Sequence, residues 1–271
     1  MAKGVYVGRT LSEAAADDLL CSSCDEDSFS TCCGSRREYY SGCGGLSRSF
    51  RRLGEVTEEF DAFREGEFDP QQDLSDAAII DGQIDEARRG LVRSAHFGLL
   101  CRSWCKMTMQ YNQGTRTKSN PQGDGILKRE VEGNRQLAEA FRLMVVLREL
   151  TIPFTLENPH DSFLWYSNEI AELRSWPEWN EVMFDQCMYK LRPPDWDRVA
   201  DIRVRKRTKI GGTLANLKSL RRICDGCHHH SIAFGSVRVN GKRIVRAKAA
   251  GAYPACLCRA LASLYVGPQC S

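Results

Sequence analysis

The residues best suited to chemistry stand at the ends of apolar runs. In residues 151–165, TIPFTLENPHDSFLW, the extended stretch Ile152-Pro153-Phe154-Thr155-Leu156 stops at Glu157-Asn158-Pro159. A carboxylate at the end of a buried strand is costly unless it has a partner or a task. The carboxyl ends of strands are also where open α/β sheets bind ligands. A plainer role is open to the same residue, that of capping the helix that follows. A second such position is Cys101 in HFGLLCRSW, after the apolar stretch 95–100. A thiol there becomes a nucleophile when Arg102 or a helix N-terminus favours the thiolate. Cys105, one helical turn further on, is its rival.

A third feature is EYYSGCGGLSRSFRRLG, residues 38–54, which passes from two aromatics through a glycine-rich turn to Leu46, Phe50 and Leu53 at helical spacing. Strand, tight turn and helix is how an α/β sheet offers backbone N–H groups to a nucleotide-like ligand. The stretch VTEEFD, residues 56–61, predicts a short strand ending in Asp61, where such folds hold ribose hydroxyls, and Asp73 follows.

The elements that must position these groups alternate. After the second strand the pattern predicts a helix over 76–92, a strand over 95–100, and an amphipathic helix over 132–150 carrying Leu137, Ala140, Phe141, Met144, Val145 and Leu147. The intervening 106–128, rich in Gly, Asn, Pro and Thr, is long enough to serve as a lid. Residues 163–179 read as helix and turn broken at Pro177, and 181–189 as a further strand; Pro254 falls at or just inside a final helix start. This order predicts an α/β, Rossmann-like fold: a mixed, mostly parallel sheet with right-handed crossovers and helices on both faces. The expected division is an irregular leader (1–37), a core (38–192), a small basic subregion (193–245) and a C-terminal helix returning to the core (246–271).

Composition narrows the partners. The 271 residues have ordinary apolar and charged fractions, as in a folded soluble protein, and no apolar run approaches the roughly twenty residues of a membrane span. The first twenty residues lack the apolar core of a signal peptide, which predicts an intracellular protein without distinguishing nucleus from cytoplasm. The thirteen cysteines then read as thiols, ligands or buried small hydrophobes rather than a disulfide framework. Cys21 and Cys24 form a CxxC near Cys32 and Cys33, but no histidine is close, and a metal site is not the preferred reading there. Net charge is only +3, yet residues 190–248 hold sixteen Lys and Arg against four Asp. Such a basic segment beside an acidic remainder points to a polyanion. In CDGCHHH, Cys224 and Cys227 with His228 and His230 could hold zinc tetrahedrally, with a metal-free loop as the preferred reading. The CxxCH spacing also matches covalent haem attachment, but no export signal accompanies it.

Four stretches, in order, resemble the DNA cytosine-5 methyltransferase family, and more narrowly its compact relatives in phages and mobile elements. YYSGCGGLS is similar to the family's cofactor loop, HFGLLCRSW to the segment of its nucleophilic Cys, and LENP to its Glu-Asn pair. The pattern FDQCMY…KRT…TLANL…AYPACLC is similar to the second half of the compact subgroup. Leu99-Leu100 stand where the family usually has a Pro-Pro pair. The resemblance implies Cys101 as nucleophile, Glu157 as the acid on the cytosine edge and Asn158 as its orienting neighbour. It implies S-adenosyl-L-methionine framed by Ser41, Gly42, Gly44 and Gly45, with Asp61 on the ribose and Asp73 near the adenine. Arg205, Lys206, Arg207, Thr208 and Lys209 would meet DNA, with Asn216 as a further polar contact; RNA is the less favoured partner. The chain is taken as a monomer. Methylation of cytosine in DNA and non-catalytic nucleic-acid binding by a degenerate member of mobile-element origin both remain open.

Overall fold

Charge runs through the middle of the sheet. In the computed structural model, which describes residues 34–64, 66–196 and 200–267, the strand β1 (Ser35–Tyr39) has the sequence SRREY and is buried along its whole length. Its alternating side chains serve opposite faces. Arg36 pairs with Glu55 at 2.9 Å, and Glu38 accepts from the Ser47 backbone N–H and hydroxyl at 2.7 and 2.6 Å. On the other face Arg37 meets Glu86 at 2.5 Å, Glu58 at 3.1 Å and Gln83 at 2.6 Å. Buried charge of this kind survives because every group has a partner. Residues 35–37, assigned by sequence to the leader, are therefore strand: hydrophobicity alone cannot recognise a strand whose burial is sustained by ion pairs. The cysteines at 21, 24, 32 and 33 lie outside the described residues.

Helix α1 (Gly45–Arg51) leads to β2 (Thr57–Phe60), then a two-residue hairpin pair β3 (Phe63–Arg64) and β4 (Glu67–Phe68), helix α2 (Ala77–Arg88) and β5 (Val92–Phe97). Short α3 (Lys106–Tyr111) and long α4 (Lys128–Glu149) precede β6 (Phe154–Pro159), α5 (Asn168–Ser175) and β7 (Asn180–Asp185). Next come β8 (Ile202–Val204), β9 (Arg207–Gly212), β10 (His229–Ser231), the hairpin β11 (Ser236–Val239) and β12 (Lys242–Val245), α6 (Arg246–Ala249) and α7 (Ala255–Val266).

The main sheet has the order β2-β1-β5-β6-β9-β7. The first four strands are parallel, and β9 lies antiparallel between β6 and β7. Helices cover both faces, giving the expected mostly parallel Rossmann-like sheet. One core joins Phe97, Phe154 and Leu156 to α2 and α4; the other joins Phe184 and Ile210 to Leu46 and Phe50 of α1 and Leu257, Leu261 and Tyr265 of α7. Each fully buried side chain of that size contributes roughly 1.5–3 kcal/mol.

Three expectations shift. The core does not end at 192, because β9 is a strand of the main sheet and carries Arg207, Thr208 and Lys209 of the basic run with it. The adjoining glycines permit this: a Cβ on Gly212 would stand 2.2 Å from the Phe154 carbonyl oxygen, and one on Gly211 would enter the Trp179 ring. The expected strand over 181–189 stops at Asp185 and becomes a 3-10 turn, Gln186–Tyr189. The segment 106–128 is not an untethered lid. Buried Arg116 stacks over Trp104 at 3.5 Å and donates to the carbonyls of Ser103 and Glu130 at 2.8 and 2.9 Å, holding the loop down. Among the described residues no helix is long and apolar enough to cross a membrane.

Candidate active site

Parallel neighbours β5 and β6 end side by side, and their register (Phe97 opposite Leu156) puts the segments bearing Cys101 and Glu157 at one edge. Asn158 joins them. Fully buried, it donates from Nδ2 to the Leu99 carbonyl at 2.9 Å, fixing the turn that leads into Cys101. Its Oδ1 and the Oε1 of Glu157 are buried without a hydrogen-bond partner. Unsatisfied buried acceptors are rare, and two of them side by side at one strand end leave places for a water or a ligand to donate a hydrogen bond.

Glu157 has two neighbours that its sequence position does not reveal. The Tyr253 hydroxyl, from the turn before α7, donates to Oε2 at 2.8 Å, and Lys206 Nζ stands 3.7 Å from Oε1. Behind Tyr253 runs a buried polar chain. His96 Nε2 lies 3.2 Å from the Tyr253 hydroxyl and Nδ1 lies 2.7 Å from Thr155 Oγ1. Thr155 Oγ1 is in turn 2.6 Å from the Tyr265 hydroxyl, which donates to the Ala95 carbonyl at 2.5 Å. Burial pushes the His96 imidazole down to about 3, so the ring is neutral. Sequence reading missed this chain; a histidine amid the apolar residues of β5 is the signal that could have found it.

Cys101 is half-buried at the start of a 3-10 turn, Cys101–Ser103. Burial pushes its thiol up to about 11; the charge of Lys206 opposes this, while Glu157 and Cys105 add to it. Lys206 is thus the cation shared by the carboxylate and the thiol. Cys105 instead lies 3.1 Å from the Thr108 hydroxyl.

The glycine turn lies beyond β1. Tyr40 takes the left-handed conformation, as do Gly42 and Gly44 with φ of 55° and 62°. A non-glycine residue in that region is strain of the kind found at functional sites. The Gly42 N–H donates to Asp61 Oδ2 at 2.7 Å, and the space a Gly42 side chain would occupy is open. Gly45 packs closely on α7, where a Cβ would meet Cys258 Sγ at 3.0 Å. Ser41 Oγ is buried with no partner. Asp61 Oδ1 also accepts from the Phe63 N–H at 2.9 Å, and Asp73 Oδ1 caps Ser75 through its N–H and hydroxyl at 3.0 and 2.7 Å. Both acids face a cavity of about 780 Å³, walled further by Tyr40, Leu74, Gln136 and the residues that flank Cys101.

The basic run is engaged within the fold. Arg207 meets the fully buried Asp185 in a bidentate pair at 2.9 and 3.0 Å, and Lys209 pairs with Glu181 at 3.2 Å over the Trp165 ring. Thr208 is fully buried and accepts from Gln186 Nε2 at 2.9 Å, so its hydroxyl cannot reach a phosphate from here. Arg205 alone of the five is about half exposed, 3.9 Å from Asp185. Asn216 takes a left-handed turn before residues 217–220, a backbone role. The zinc alternative also changes membership: Cys187 joins Cys224, His228 and His230 in one cluster, whereas Cys227 is exposed outside it.

No protein-family model and no curated protein matches the chain. Among solved structures it is similar to the S. pombe Dnmt2 methyltransferase, at 13% identity and a TM-score of 0.30, over 66% of this chain and 48% of that one. The chain thus spans about half the length of that structure. A likeness of that degree fixes neither activity nor substrate.

Proposed function

We propose that the protein transfers a methyl group from S-adenosyl-L-methionine to carbon 5 of cytosine in DNA, with Cys101 as nucleophile. The observation that carries this reading is the meeting of Cys101, Glu157 and Lys206 at one sheet edge, with Asn158 bonded to the turn before the thiol. The residues present fit the cofactor. The cavity is of small-molecule size and is lined by Tyr40, Asp61 and Asp73; Ser41 and the glycines are not in its lining, but the space at Gly42 is open and Ser41 Oγ lacks a partner.

Bound there, S-adenosyl-L-methionine supplies an electrophilic methyl on a sulfonium. Carbon 5 of cytosine is too weak a nucleophile to take it. Addition of the Cys101 thiolate at carbon 6 would make carbon 5 enamine-like and able to take the methyl as the methyl–sulfur bond breaks and the sulfur leaves as a neutral thioether. Loss of the carbon 5 proton to water and of the thiolate from carbon 6 restores the aromatic ring and the enzyme. Glu157 shares a proton with ring nitrogen 3 and stabilises the charge that develops on addition, while Tyr253 holds its carboxyl in place. A base in duplex DNA must be flipped out to reach this edge. Arg205 and the exposed cations Arg221, Arg238, Lys242 and Arg243 are left to meet phosphates.

A second reading, nucleic-acid binding without turnover, is favoured by one observation: burial raises the Cys101 thiol far above neutral pH. Trapping separates the two. DNA containing 5-fluorocytosine, with S-adenosyl-L-methionine, should give a covalent adduct that Cys101→Ser abolishes. DNA binding with neither an adduct nor calorimetric heat from the cofactor sinks the enzyme reading. An adduct persisting in Cys101→Ser moves the nucleophile elsewhere, to Cys105 first, and an adduct only with RNA moves the substrate.

A further inference from the structure

Beyond the sheet edge, a second group of reactive side chains converges where nothing in the methyl-transfer reading requires it. The ligand atoms of Cys187, Cys224, His228 and His230 all lie within 4.8 Å of one another. Cys224 Sγ is 3.8 Å from His228 Nε2 and 3.5 Å from His230 Nε2, and the two imidazole rings sit 4.6 Å apart at 73°. Tetrahedral zinc, with Zn–S near 2.3 Å and Zn–N near 2.0 Å, requires sulfur–nitrogen edges of about 3.5 Å. From this geometry we propose that the four residues form a structural zinc site.

The local structure explains why these four converge and their neighbours do not. Residues two apart on a strand share a face, so His228, which is buried, and His230, which is exposed, project together around the start of β10, while His229 falls on the other side. β10 is held in place by parallel pairing with β8. Cys224 is fixed by its backbone N–H, which donates to Asp185 Oδ2 at 2.9 Å. Cys187, fully buried, comes from the 3-10 turn that closes β7. Cys227, the other half of the CxxC, has its Sγ 3.4 Å from His228 Nδ1, the nitrogen turned away from the cluster. It therefore stands at the outer position from which a ligating imidazole is oriented, a place more often filled by a carboxylate, carbonyl or water. Two thiolates neutralise the dication at a site whose Cys187 and His228 are buried and whose His230 lies at the surface, and with all four positions filled by protein the site is closed, as structural rather than catalytic zinc sites are.

The site would join segments that the sheet alone leaves loosely tied. Residues 221–231 would be clamped to the end of β7, next to Gln186. The Gln186 N–H donates to the Lys206 carbonyl at 2.9 Å, and its side chain holds Thr208. The clamp thereby supports the backbone that sets Lys206 before Glu157. The zinc site does not depend on the methyl-transfer reading.

The experiment uses the full chain, purified without chelator. Elemental analysis should give one zinc per chain. Replacement by cobalt should give the visible bands of a tetrahedral ion with thiolate charge transfer of two sulfurs. Cys187→Ser and His230→Ala should each lose the equivalent, whereas Cys227→Ser should keep it with the same cobalt spectrum. Loss of metal in Cys227→Ser with retention in Cys187→Ser would overturn the assignment. So would a wild-type chain that carries no zinc and binds no cobalt, or binds it with an octahedral spectrum. Should Cys187→Ser fail to fold, the cobalt spectra of the wild type and Cys227→Ser decide, since a three-thiolate intensity that drops on losing Cys227 also overturns the proposal.

Discussion

The Tyr253 hydroxyl and the Glu157 carboxylate, ninety-six positions apart, meet at 2.8 Å across the carboxyl edge of the sheet. The contact exists because α7 packs back against α1, bringing its leading turn over the end of β6. Its removal leaves a buried carboxylate oxygen and a buried imidazole nitrogen each short of a partner. Tyr253→Phe should therefore lower stability by about 1–3 kcal/mol in urea denaturation. If Glu157 acts on the substrate, kcat should fall by roughly ten- to a hundredfold. An unchanged kcat with reduced stability would make the contact structural only.

The thiol at Cys101 should alkylate slowly at neutral pH, its rate climbing toward pH 11 as the thiolate forms. Lys206 pulls in the opposite direction, so Lys206→Met should move the midpoint still higher and slow the reaction at pH 8. Iodoacetamide labelling read by peptide mass at Cys101 measures both. A midpoint unmoved by Lys206→Met would remove the lysine from the site.

Acid should weaken the fold through His96. Its folded value, near 3, is below that of an exposed imidazole, so between about pH 6.5 and 3 the unfolded chain binds a proton that the native one does not. Stability then falls with falling pH, by at most about 1.4 kcal/mol per unit from this one group. The buried, raised Glu38 carboxyl has the opposite sign, favouring the native state at low pH. The clean observable is a comparison: His96→Gln should flatten the acid slope of the denaturation midpoint. An identical slope would mean that the ring is not held neutral.

Spacing and residue type in the sequence anticipated the alternation of helices and strands as far as β6 but not their bounds, since the helix expected over 76–92 ends at Arg88 and the strand expected over 95–100 runs Val92–Phe97. They also placed Glu157 among the last residues of a strand and the glycine turn before a helix, whereas Cys101 opens a 3-10 turn four residues beyond the end of β5. These are local matters: an apolar run that stops at an acid, or a glycine where φ must be positive, is legible within a dozen residues. What the tertiary structure decided is long-range. β1 reads as polar because its arginines and glutamate are buried against Glu55, Glu58, Glu86 and Ser47, partners that no window around 35–39 contains. The basic run reads as a free phosphate-binding stripe because charge is visible in sequence and pairing is not. Once β9 enters between β6 and β7, its Arg207 and Lys209 face Asp185 and Glu181, and Lys206 just before it faces Glu157. Cys187 joins Cys224 for the same reason. Side-chain chemistry is written residue by residue, but which groups become neighbours depends on sheet order, and β9 takes its place by inserting between β6 and β7, so that it separates two strands that precede it in the chain.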